Sequence, residues 1–114
     1  MLAENKKIVL SFAGATPDDC TRYARELKDF LLTAIDALQV HQHRERDDSQ
    51  DFGTTLIIVL GTTAINTLAQ GIAVWLQRNS GVRINVNKTN GELVAEGLDS
   101  KDVAEIVKAL SSAS

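Results

Sequence analysis

From Thr54 to Gln77 the chain runs for 24 residues without a charged side chain. Water is a poor place for such a stretch, so it belongs in hydrocarbon, in a protein core, or against a partner. Leu56-Ile-Ile-Val-Leu60 alone has the length and branching of a buried strand. From Gly61 onward, Thr63, Asn66, Thr67, Gln70 and Gln77 recur on a narrow polar stripe, and Leu60, Ala64, Leu68, Ile72, Trp75 and Leu76 lie largely opposite. That period predicts one long helix over 54–77, with residues 54–60 open between strand and helix. At 1.5 Å per residue it would be about 36 Å long, enough to cross a membrane. Asn66 and Gln70 near its midpoint, threonines close by and the lack of a basic flank weigh against a span. Such a helix is long for a 114-residue chain, so part of its surface is expected to be an interface. Gly61, Ala64, Ala69, Gly71 and Ala73 permit close approach of another helix. A homo-oligomer or a docking surface follows, with Asn66, Gln70, Trp75 and Arg78 as contact positions. For Trp75 the competing reading is a core anchor.

The rest of the chain sets the frame. A single domain over residues 1–114 fits the length, and such a domain buries about two-thirds of its unfolded surface. The hydrophobic share of 44 % and charged share of 24 % are ordinary for a globular protein and exclude a disordered or collagen-like chain. Residues 7–13 read as a strand ending at Gly14. Thr16-Pro17-Asp18-Asp19 opens a helix, with Thr16 as cap, Pro17 in the first turn and two acids at the positive end of the dipole. Ala24, Leu27, Leu31, Ala34, Ile35 and Leu38 continue it at helical spacing, predicting a helix over about 17–41. Residues 43–53 are polar and aperiodic and read as a loop.

Past Asn79-Ser80-Gly81, the residues Val82, Ile84 and Val86 alternate with polar ones, and Asn90-Gly91 signals a hairpin. A two-residue turn would set Lys88 opposite Leu93, Val86 opposite Ala95 and Ile84 opposite Gly97. Asp99 or Ser100 then caps a last helix whose buried stripe is Val103, Ile106, Val107 and Leu110, with a frayed tail at 111–114. The predicted class is α+β: order β-α-α-β-β-α, a two-layer sandwich with a small three-stranded sheet and helices on one face.

Chemistry leaves few marks. A net charge of −3 argues against a nucleic-acid module, which needs clustered Lys and Arg. One cysteine excludes an internal disulfide. Cys20 sits in a first helical turn, but Asp18 and Asp19 oppose its thiolate. His41 and His43 share a face only in an extended chain, and here they fall at a predicted helix end without a third ligand nearby. The run from Asp47 to Gly53 resembles a calcium loop, yet Phe52 stands where the turn needs Gly and Ile58 where a bidentate Glu is needed. Glu92 and Glu96 are spaced along a solvent-facing strand. No nucleophile elbow, phosphate loop or dinucleotide fingerprint is present. The expectation is a non-enzyme without metal or cofactor. With no secretory signal and no cysteine pair, the cytoplasm is the expected compartment.

The stretch from Leu56 to Leu110 resembles the effector-associated constant component family of bacterial conflict systems. The carrying residues are the small-residue helix ending Ala73-Val-Trp75-Leu76-Gln-Arg78, the strand Val82-Arg-Ile-Asn-Val86, Asn90-Gly91, and Asp99-Ser-Lys-Asp102-Val103. A single Arg78 follows Trp-Leu where the family usually has a richer run of arginines. The resemblance implies a non-enzymatic adaptor or regulator encoded beside effectors. Its partners would be trypsin-like or caspase-like peptidases or signalling NTPases. The alternatives are a small membrane-associated or pore-forming effector using residues 54–77, and a purely homo-oligomeric structural subunit.

Overall fold

The computed structural model describes residues 5–35, 39–43, 55–61, 64–88 and 92–112. Strand β1 (Asn5–Ala13) alternates as a half-covered strand should: Ile8, Leu10 and Phe12 are buried, while Lys7 is exposed. Gly14 ends it at φ 70°, a left-handed turn that costs glycine nothing. Helix α1 (Pro17–Ala34) starts as its sequence dictates. The Thr16 hydroxyl accepts the Asp19 N–H at 3.2 Å, and Asp18 and Asp19 occupy the first turn.

The helix stops seven residues short of the predicted end at about 41. Ile35 is already extended (φ −129°, ψ 121°), its N–H closing the last turn on the Leu31 carbonyl at 2.9 Å. Strand β2 (Gln39–His43) follows, in place of the predicted helix end and the start of the predicted loop. It inserts one apolar residue, Val40, into the core, so its alternation is faint. Leu38 and residues 44–54 lie outside the described residues, including nearly all of the loop predicted at 43–53 and the Asp47–Asp51 run.

The predicted helix over 54–77 divides in two. Strand β3 (Thr55–Gly61) precedes helix α2 (Ile65–Arg78). Leu56, Ile58 and Leu60 are buried and Ile57 and Val59 are half-buried, a period of two that only a strand has. From Ile65 the period changes to helical: Ile65, Leu68, Ala69, Ile72, Ala73, Trp75 and Leu76 are buried. Asn79 closes α2, its N–H and side-chain amide both donating to the Trp75 carbonyl, the latter at 2.8 Å.

Strands β4 (Arg83–Asn87) and β5 (Leu93–Leu98) form the expected hairpin, with Val86 opposite Ala95 as predicted. The ends of the ladder differ. Asn87, not Lys88, opposes Leu93, and the Lys88 N–H bonds the Glu92 carbonyl at 2.8 Å. That leaves three residues, 89–91, between the paired positions instead of a two-residue turn; these three lie outside the described residues. Ile84 opposes Leu98 instead of Gly97, because Gly97 (φ 68°) sits in an irregularity where the Asn85 side-chain oxygen accepts its N–H at 2.9 Å. Helix α3 (Val103–Ser112) begins after Asp102, whose carbonyl accepts the Ile106 N–H. Asp99 forms the preceding turn, accepting from Lys101, in place of the predicted cap.

The described residues thus give the order β-α-β-β-α-β-β-α and one five-stranded antiparallel sheet, β2-β3-β1-β4-β5, where a three-stranded sheet was predicted. The class is α+β. Register puts Val40, Ile58 and Ile8 in one inward row and Leu56, Leu10 and Val86 in the next. These side chains share one core with Leu27 and Leu31 of α1, Leu68 and Ile72 of α2, and Ile106 and Leu110 of α3. The three helices therefore cover one face of the sheet, as predicted.

Candidate interaction surface on the middle helix

Helix α2 packs against both α1 and α3, so it is the middle helix of its layer. Of the small residues noted in the sequence, Gly61 falls in β3 and Ala64 precedes α2, which leaves Ala69, Gly71 and Ala73 within the helix. Ala69 and Ala73 are buried, and a Cβ on Gly71 would lie 3.3 Å from Leu31 of α1 and 3.6 Å from Ile35, which caps it. At Gly71 the close approach is made within the chain.

The outer face of α2 is open. Asn66, Thr67, Gln70, Val74 and Gln77 are exposed, Val74 to 41 %, and no charge falls among them until Arg78. Asn66, Gln70, Val74 and Arg78 are each one turn apart and form a single ridge. A shallow groove runs on either side. Toward α1 it is lined by Phe30, Ala34, Thr67, Gln70 and Val74; toward α3, by Gln70, Val74, Gln77, Lys101 and Val103. Gln70 and Val74 border both. Arg78 stands at the end of the ridge, its guanidinium 5.5 Å from the centre of the Phe30 ring. As the basic residue in the last turn it also meets the negative end of the helix dipole.

Three of the four predicted contact residues, Asn66, Gln70 and Arg78, are brought together here. Trp75 is not among them. It is 4 % exposed and lies 6.0 Å from Phe12 and 6.1 Å from Tyr23, ring centre to ring centre. Helical geometry turns residue 75 about 100° away from 74 and into the sheet. The core-anchor reading is the one its position fits, and a partner on the ridge meets no tryptophan surface.

The remaining candidates are placed as follows. The Cys20 thiol is buried, 3.7 Å from the Ala15 carbonyl and 3.9 Å from that of Phe12. Positions 41 and 43 lie in an extended strand, opposite Ile57 and Thr55, and not at a helix end. Among the described residues no group of three or more His, Cys, Asp or Glu is placed to hold a metal. Glu92 pairs with Lys88 at 3.5 Å on the surface. No helix among the described residues is long and apolar enough to cross a membrane; α2 is 14 residues long and covers only 13 of the 24 uncharged positions.

The second face of the sheet has an apolar centre that the predicted three-stranded sheet lacks. Val9, Ile57 and Val59 occupy its centre, half-buried, with exposed Lys7, His41 and Arg83 around them. The signal was the alternation inside β3, which is visible only once that segment is read as a strand.

No family model, curated protein or solved structure matches the chain.

Proposed function

We propose that this protein is a non-enzymatic adaptor or regulatory component of a bacterial antiviral or programmed-death conflict system. In this reading it works in the cytoplasm and binds a trypsin-like or caspase-like effector peptidase, or a signalling NTPase, through the outer face of α2. The observation that carries the proposal is the uncharged, exposed ridge of Asn66, Gln70 and Val74 with a groove on each side. Interface centres are depleted of charge, whereas helix faces turned to water normally carry it. Amide side chains there hydrogen-bond a partner without the desolvation cost of burying an ion. The resemblance of Ala73–Arg78, Val82–Val86 and Asp99–Val103 to the effector-associated constant component family supplies the class of partner.

The test is a tagged pull-down from the native host, with soluble and membrane fractions analysed separately by mass spectrometry. The wild-type chain is compared with the double variant Asn66→Lys/Gln70→Lys. The expected result is recovery of a peptidase or signalling NTPase from the soluble fraction, lost in the variant. Equal recovery by both chains would remove α2 as the binding surface. Recovery from membranes without such a partner, or of this chain alone as an oligomer, would overturn the adaptor reading.

A further inference from the structure

We draw no further inference here: the strongest candidate, the sheet face turned away from the helices and centred on Val9, Ile57 and Val59, carries nothing because nothing in the structure shows what covers it.

Discussion

Helices α1 and α2 do the same structural task with opposite outer faces. Each lays an apolar stripe on the sheet: Ala24, Leu27 and Leu31 from α1, Leu68, Ala69 and Ile72 from α2, all fully buried. Outward, α1 presents Arg22, Arg25, Glu26 and Asp29, with Arg22 paired to Asp19 at 3.2 Å. Helix α2 presents Asn66, Thr67, Gln70, Val74 and Gln77. Burial on the inner side is equivalent, so core packing does not account for the missing charges. Leu32 of α1 is as exposed as Val74 of α2, so the contrast lies in charge and not in apolar exposure.

The inner stripes provide the largest test of that equivalence. Leu27→Ala and Leu68→Ala each delete a fully buried side chain. Each is expected to cost about 2–5 kcal/mol in urea unfolding, the transfer term plus the cavity left behind. A loss confined to Leu27 would mean that α2 is not seated in the core, and the comparison would fail.

The seam between the two helices gives the next effect. Gly71 faces α1 across this seam, with Leu31 and Ile35 within 3.6 Å of a Cβ placed there. Gly71→Leu is expected to destabilise by about 1–3 kcal/mol through overpacking. Gly71→Ala sets a gain in helix propensity of up to about 1 kcal/mol against a contact at 3.3 Å, so its net effect is smaller. A stable Gly71→Leu variant would show that α1 does not fill this position.

The helices also differ at their starts. Thr16 caps α1 with its side chain, whereas Ala64 before α2 makes no side-chain cap. Thr16→Ala is expected to lower the unfolding free energy by about 1 kcal/mol. No change would mean that water satisfies the Asp19 N–H equally well.

This asymmetry also explains which parts of the fold were legible. The start of α1 was readable residue by residue, because capping chemistry is local. The division between β3 and α2 was not. Both segments are uncharged and apolar, and the residues between them lack a strong breaker besides Gly61. A short apolar run is ambiguous between strand and buried helix by periodicity alone, and what resolved it was pairing with β1 and β2, a long-range fact. Strand β2 was missed for a related reason: with Val40 its only apolar residue, it imprints almost no pattern. Of the candidate surface, Asn66 and Gln70 were legible as a polar stripe because helical period survived the misplaced start. Trp75 was ambiguous, since one residue of shift along a helix turns a side chain from solvent to core.

The smallest expected effect on stability bears most directly on function. Asn66→Lys and Gln70→Lys both lie on the exposed ridge. New ammonium groups there stay solvated, and the repulsion between lysines four apart costs only about 0.2–0.5 kcal/mol. The double variant is therefore expected to unfold within about 0.5 kcal/mol of the wild type. Binding is expected to respond quite differently, because a partner covering the ridge must strip water from two charges for which it has no counterions. The matched control is Arg25→Gln/Glu26→Gln on α1, which removes charges from a face already exposed to solvent. Loss of partner capture in the α2 variant, with stability and the α1 control unchanged, would separate recognition from folding. If both variants bind equally well, the uncharged face of α2 is only a solvent-exposed surface, and the difference between the two helices has no functional meaning.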